Sequence, residues 1–427
     1  MIETTNFFAA ARAERPEHSD RLEGQVSDSM AVGSVLVAHP TLQHAHQLAL
    51  ALHEKNLLQA FWSGVPIASP GEPLPMWMPE RFRRKIKRVD IPASLRVHPL
   101  RFQLCLRAGQ AVLPESGIGL GDLPHRIFRW FDAWTARRIQ RIKPKLVIAY
   151  ENSAYHTFAA AKSVGARCVL DAASLHHRTS IDLMGGRRQS AFDVEVNRRK
   201  DAETEMADLI LTCSPLAADS YLSQGVPASK VHPLLLGAEL PDRLQHHRAR
   251  NGPPRFIFAG VLSRRKSVDL ILSAFRRLAD EGLAYELEFV GNANDPTLLE
   301  QLHATPGASY RPGVAQADLY PLMAAADCLL LPSRFDSFGM VVVEAMACGT
   351  PAIVSTQTGA KAIIEEVPGS GWIVEPEGDA LHTQLRRLLV DPTQLESARS
   401  HAQRAAESYT WQAYRRRATK LLAEALC

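Results

Sequence analysis

Two acidic side chains, Asp336 and Glu344, stand eight positions apart in residues 329–359, LLLPSRFDSFGMVVVEAMACGTPAIVSTQTG. Glu344 is surrounded by Met340, Val341, Val342, Ala345 and Met346, and a carboxylate among such neighbours is costly unless donors bond to it. The hydroxyls of a ribose are such donors. Gly339 precedes the apolar run, and a helix opening there turns free backbone N–H groups toward the same place, where phosphate oxygens are stabilised. Asp336, one loop nearer the preceding strand, would face whatever hangs beyond the phosphates. A sugar nucleotide fits this set. Spacing alone also permits a plainer reading, in which Glu344 complements the helix dipole and Asp336 caps the helix.

The elements that must position these groups are legible around them. Residues 328–331 read as a buried strand closed by Pro332, 333–338 as a loop, and Gly339 as the start of a helix ended by Gly349 and Pro351, before a strand at Ile353 and Val354. A second unit runs 255–259 as strand, Gly260, the loop VLSRRKS and a helix over 268–278. There Arg264, Arg265 and Lys266 bring cations to a helix entrance, a second anion site facing the first; their plainer reading is surface charge. Residues 285–291 give a further strand.

The first half repeats the alternation. Residues 35–38 are a strand, His39, Pro40 and Thr41 a turn, and the following helix has an apolar face through Leu48, Leu50, Ala51 and Leu52. Strands at 146–150, 168–171 and 209–213, with a small-residue helix at 153–164, demand a parallel, doubly wound α/β sheet. The loop after the first strand, where a nucleotide-binding domain meets its cleft, carries His39, Gln43, His44 and His46. These read as cleft-edge polar residues rather than metal ligands, because no carboxylate or cysteine completes a set.

At 427 residues, with 46% apolar and 22% charged side chains, the chain exceeds what one core usually supports. Two domains are expected: a leader over 1–30, a first domain over 31–240, a linker over 241–254, a second domain over 255–410, and a terminal helix over 411–427. Neither a charged-then-apolar leader nor a run long enough to cross a bilayer is visible. Six cysteines are scattered without a CxxC, which fits a reduced cytoplasmic protein. Charge is uneven. Residues 76–145 hold sixteen Lys and Arg against five Asp and Glu, so the rest is net acidic although the whole is +4. In PMWMPERFRRKIKRV, Arg81, Arg83, Arg84, Lys85, Lys87 and Arg88 interleave with Met76, Trp77, Met78, Phe82 and Ile86. That pattern suits an anionic membrane surface, with a solvated basic face as the plainer reading; contact with nucleic acid has no fold signature to support it.

The run SRFDSFGMVVVEAMACGTPAIVS resembles the signature of glycosyltransferase family four, retaining enzymes with two Rossmann-like domains facing across a cleft (GT-B architecture). The resemblance implies that the first acid contacts the donor sugar and the second the ribose; Asp336 stands where the family usually has Glu. It implies donor contacts from Gly260, Ser337, Phe338, Gly339, Met340 and Val341, and from the loop 311–314 containing Gly313, which usually meets the base. Lys266 matches a family Lys that neutralises the leaving diphosphate. Val261 replaces the family's Arg and Ser267 its Gly, so Arg264 or Arg265 is expected to supply the missing cation. The run YENSAYHTFAAAKSVGARCVLD resembles a subset of the family and places Glu151 on the cleft. Asp171, Ser174, His176 and His177 stand where many relatives carry a His, Asp171 having the best claim. The family's paired glycines are absent from the first loop, where His39 and Gln43 remain candidates for the acceptor. In relatives the final helix crosses back onto the first domain.

The implied function is metal-independent transfer from a nucleoside-diphosphate sugar, with no cofactor, to a lipid-linked or glycan acceptor in surface polysaccharide or glycolipid synthesis, by a cytoplasmic or peripheral membrane protein. Two alternatives remain: a catalytically silent sugar-nucleotide-binding or tethering protein, and an epimerase or hydrolase on the same architecture.

Overall fold

The computed structural model describes residues 33–426 except 75, 77–79, 84–85, 113–117, 187–188 and 241–251. The expected leader, most of the expected linker, and Trp77, Met78, Arg84 and Lys85 lie outside the described residues.

The apolar runs become the strands of two wholly parallel sheets. In the first half these are β1 (Val35–His39), β2 (Leu58–Ser63), β5 (Arg96–Val97), β6 (Leu146–Tyr150), β7 (Arg167–Ala172), β8 (Leu209–Thr212) and β9 (Val231–Pro233), ordered β5-β2-β1-β6-β7-β8-β9. A separate two-stranded pairing joins β3 (Ile67–Ala68) to β4 (Lys87–Arg88). The second half forms β10 (Arg255–Ala259), β11 (Glu286–Val290), β12 (Ala308–Arg311), β13 (Cys328–Leu331), β14 (Ala352–Ser355) and β15 (Gly371–Val374), ordered β12-β11-β10-β13-β14-β15. Central strands such as β1 and β13 are buried along their whole length, as strands covered by helices on both faces must be.

The strand order reverses between β1 and β6 in one sheet and between β10 and β13 in the other. Loops leaving the carboxyl ends of neighbouring strands diverge there, which opens a crevice in each half. The helix Val268–Asp280 is anchored behind the second crevice by Val268, Ile271, Leu272, Phe275 and Leu278, all buried at helical spacing.

Two features hold the halves together. The final helix, Trp411–Leu426, returns to the first half, where Arg415 pairs with Glu54 at 3.0 Å and donates to Gln47 Oε1 at 2.8 Å. Ser337, from the loop after β13, accepts from Leu175 N at 3.1 Å through its hydroxyl, and its carbonyl accepts from Ser214 Oγ at 2.5 Å.

The basic stretch is more than a surface stripe. Much of it is the helix Ile118–Ile142, whose Ile127, Phe131, Trp134 and Ile139 are buried. Of the short cationic run, Arg88 donates to the carbonyls of Ser69 and Glu72, and Lys87 lies 3.7 Å from Glu239. Those two cations tie loops together, whereas Met76 is 92% exposed. Among the described residues no helix is long and apolar enough to cross a membrane.

Candidate active site

A cleft of about 870 Å³ runs between the carboxyl ends of the two sheets. On the second-half side Gly260, Arg265, Lys266, Gly313, Asp336, Ser337, Phe338, Gly339, Met340, Val341 and Glu344 line it, and on the first-half side Gln43 and His44 do.

Glycine sets the backbone where the chain must approach closely. Gly260 has φ 145°, and a Cβ there would lie 3.1 Å from Lys266 Nζ. Its lack of a side chain lets the ammonium fold over the strand end. Gly339 opens the helix Met340–Ala347 at φ 90°, where a Cβ would meet Leu331 Cδ2 at 2.9 Å. The N–H groups of Met340 and Val341, in the first turn, have no intrahelical acceptor and border the cleft.

Lys266 Nζ lies 3.5 Å and Arg265 Nη1 3.9 Å from Asp336 Oδ2, while Asp336 Oδ1 accepts from Phe338 N at 3.3 Å. Asp336 therefore turns the loop within itself and faces the two cations, rather than capping the helix. Arg264 does not join them: its side chain is 62% exposed and lies 3.7 Å from Asp269. Asp269 is also gripped by Arg334 at 2.7 and 2.8 Å, and the Arg334 backbone N–H donates to Arg265 O at 2.9 Å. These bonds pin the loop after β10 to the loop after β13. Arg265 donates to Phe335 O at 3.1 Å and stays in the cleft.

Glu344 accepts from Gln316 Nε2 at 2.7 Å. Burial raises its carboxyl above the ordinary value, and the Gln316 bond offsets part of that.

The first half corrects three expectations. His39 is 3% exposed and absent from the cleft wall; its Nδ1 accepts from Thr41 N at 2.9 Å and its ring meets Tyr150 edge-on at 4.2 Å. Burial, with the neighbouring His44, pushes it down to about 3, so it is neutral. Glu151 is drawn away from the cleft by Lys200 at 2.8 Å and by the Ser174 hydroxyl. Burial alone would raise its carboxyl, yet Lys200 and Ser174 hold it below its ordinary value. Asp171 sits behind the wall, bonded through both oxygens to His44 Nε2 at 3.1 and 3.0 Å. A carboxylate only accepts, so His44 donates from Nε2. His44, not Asp171, reaches the cleft.

Gly291, Asn292, Leu236, Leu319 and Trp411 also line the cleft. The sequence holds a signal for Gly291: in FIFAG and EFVG a glycine directly follows the strand, and a Cβ at Gly291 would lie 1.8 Å from Gly260 O. Away from the cleft, ligand atoms of His176, His177 and Asp201 lie within 4.8 Å of one another, but Asp201 already pairs with Arg178 at 2.8 Å. The five described cysteines are free thiols.

Residues 242–408, in the second half of the chain, match the family model described as glycosyl transferases group 1. Among curated relatives, it is 31% identical over 228 residues to D-inositol 3-phosphate glycosyltransferase 1 of Catenulispora acidiphila, covering 48% of this chain and 54% of that one. It is 30% identical over 176 residues to the GDP-mannose-dependent alpha-(1-6)-phosphatidylinositol dimannoside mannosyltransferase of Mycobacterium tuberculosis, covering 40% and 44%. The chain thus spans about half the length of the curated relatives it matches. In fold it is similar to sucrose-phosphate synthase from Thermosynechococcus elongatus, with a TM-score of 0.65 at 17% identity over 91% of this chain and 98% of that one. It is also similar to Anabaena HepE in complex with UDP and glucose, at 0.60 and 15% over 92% and 100%. Both sheets and the cleft between them are therefore the GT-B architecture.

Proposed function

We propose that the chain is a retaining glycosyltransferase that moves a sugar from a nucleoside diphosphate to an acceptor held by its first half. The observation that carries this reading is the convergence of Lys266, Arg265 and the N–H groups of Met340 and Val341 on one cleft that also holds Glu344. In this reading the cations and the helix end stabilise the departing diphosphate, the largest charge formed in the reaction. Glu344 takes the ribose hydroxyls, and Asp336 releases Lys266 to the phosphates and turns to the donor sugar. The bond from the anomeric carbon to the diphosphate oxygen breaks, the bond to the acceptor oxygen forms, and the acceptor's proton passes to the phosphate. His44, oriented by Asp171, contacts the acceptor. The relatives' names, which include a GDP-mannose-dependent enzyme acting on a phosphatidylinositol dimannoside, support a nucleotide-sugar donor and a lipid-linked acceptor.

The test is hydrolysis of a panel of nucleotide sugars by purified protein with excess chelator present. Slow release of nucleoside diphosphate from one donor, with chelator, is expected; activity that vanishes and returns with magnesium or manganese would sink the metal-independent reading. Attachment to anionic membranes is tested by co-sedimentation with vesicles. Wild type should sediment at low salt, and a protein with Arg83, Arg84, Lys85 and Lys87 changed to Ser should stay in solution.

A further inference from the structure

A second cavity, of about 590 Å³, lies wholly within the first half, between the helices Ile118–Ile142 and Ala191–Met206. Its walls are Arg126, Arg129, Trp130 and Ala133 on one helix and Phe192, Glu195, Val196 and Arg199 on the other. Each set has the spacing i, i+3, i+4, i+7, one face of a helix. Two such faces ordinarily close on each other. Here they stand apart, with Ala133 leaving room.

The chemistry inside is uneven in charge. Arg199 is held by Asp132 at 2.8 Å and Glu195 by Arg198 at 2.8 Å, whereas neither Arg126 nor Arg129 forms a salt bridge among the described residues, although Arg129 lies near enough to Glu195 to help lower its carboxyl. Arg126 lies over the Phe192 ring at 5.0 Å, and Trp130 is 39% exposed. At the back, Asn152 takes φ 70°, a left-handed backbone that is strained for a residue other than glycine. Its Oδ1 and His125 Nδ1 are buried with no hydrogen-bond partner. Buried polar atoms left unpaired at the wall of a cavity await a ligand or water. Asn152 follows β6, so the cavity opens on the same strand-end side as the main cleft, and the Glu151–Lys200 pair at 2.8 Å stands beside it, each residue adjacent in sequence to a wall residue.

We propose that this cavity binds a phosphorylated sugar: Arg126 and Arg129 take the phosphate, Trp130 and Phe192 the apolar ring faces, and Asn152 and His125 the hydroxyls. Planar guanidinium forks suit phosphate oxygens, and they need no carboxylate to be displaced first. The assignment rests on the glycosyl transfer reading, since it makes the cavity the part of the acceptor site that recognises an anionic sugar.

Calorimetric titration of the full chain with glucose 1-phosphate, with methyl glucoside as the uncharged control, tests it. Binding of the phosphosugar alone is expected, weakened tenfold or more in Arg126→Ser/Arg129→Ser and in Ala133→Trp, which fills the space. UDP titration should be unchanged in both variants. Equal affinity in wild type and variants, or competition between glucose 1-phosphate and UDP, overturns the proposal. Failure of the wild type to bind UDP would instead count against the glycosyltransferase reading. Vesicles carrying a polyprenyl phosphate present the same chemistry from a lipid. Capture that weakens in the same variants assigns the lipid source, and capture unchanged in them leaves the free sugar phosphate as the ligand.

Discussion

The loops after β10 and β13 and the loops after β1 and β6 occupy equivalent places in their two sheets, yet they are built on different principles. The second-half loops are shaped by glycines and by short-range contacts, Lys266 folding back over Gly260 and Asp336 accepting from Phe338 N, with the Arg334–Asp269 pair tying one loop to the other. The first-half loops are held by partners far away in the chain. His44 depends on Asp171, Glu151 on Lys200, and the turn at 152–155 on Glu203, which accepts from the N–H groups of Asn152, Ala154 and Tyr155 at 2.8, 3.0 and 3.1 Å. A backbone cradle suits a diphosphate, which presents the same oxygens whatever sugar it carries. Buried side-chain pairs suit a partner that differs between enzymes, because they change by substitution without moving the fold.

The sharpest way to break this contrast is Lys266→Ala. If the second half carries the leaving-group chemistry, turnover should fall by about a hundredfold or more while donor affinity falls less. Steady-state kinetics with the donor found in the hydrolysis panel decide it. Near-normal turnover would shift the role to Arg265.

On the first-half side the largest effect concerns pH. Burial pushes the Glu203 carboxyl up to about 7 despite the backbone N–H bonds that oppose it. The folded state therefore binds this proton more tightly than the unfolded chain does. The stability it contributes is fully present below the unfolded value near 4.5 and is lost as pH rises through 7, on the order of 2 kcal/mol. Denaturant unfolding at pH 5 and pH 8 should show a fall that is flattened in Glu203→Gln. An unchanged slope in the variant would mean that Glu203 is ionised throughout.

Asp171→Asn probes the same half at its cleft. An amide can keep a hydrogen bond to His44 while reversing which nitrogen carries the proton, so about a tenfold loss of turnover is expected, with UDP affinity intact. Loss of UDP binding would show that the pair serves the donor and not the acceptor.

These differences also explain what the sequence revealed. Strand, loop and helix follow one another within about a dozen residues around Gly260 and Gly339, so the two loops were legible from spacing, while the family resemblance supplied their roles. Spacing did not separate Arg264 from Arg265, because contacts around them come from the loop after β13: Arg265 donates to Phe335 O, and Asp269, beside Arg264, is gripped by Arg334, 65 positions away. His44 and Asp171 are 127 positions apart. No local pattern distinguishes that His from His39, which is turned into the core against Tyr150. The helix Ile118–Ile142 was hidden by its own charge: its many arginines drew attention to the surface, while Phe131 and Trp134 made a core face.

The smallest expected effect tests whether the second-half loops depend on glycine as closely as this contrast requires. Ser267 caps the helix Val268–Asp280 at φ 57° and ψ 31°, a left-handed conformation, where the family resemblance leads one to expect glycine. It is fully buried, and its hydroxyl has no partner. A left-handed backbone costs a residue with a Cβ roughly 1–2 kcal/mol, and an unpaired buried hydroxyl adds to that cost. Ser267→Gly removes both terms while giving the unfolded chain more freedom, which takes back roughly 0.5–1 kcal/mol. A net gain of about 1 kcal/mol should therefore appear as a higher denaturant midpoint, with little change in turnover because Lys266 keeps its place over Gly260. A lower midpoint would mean that the hydroxyl has a partner in solution and that serine is tolerated here for the bond it makes, in which case the side chain at 267, and not the backbone alone, sets this turn.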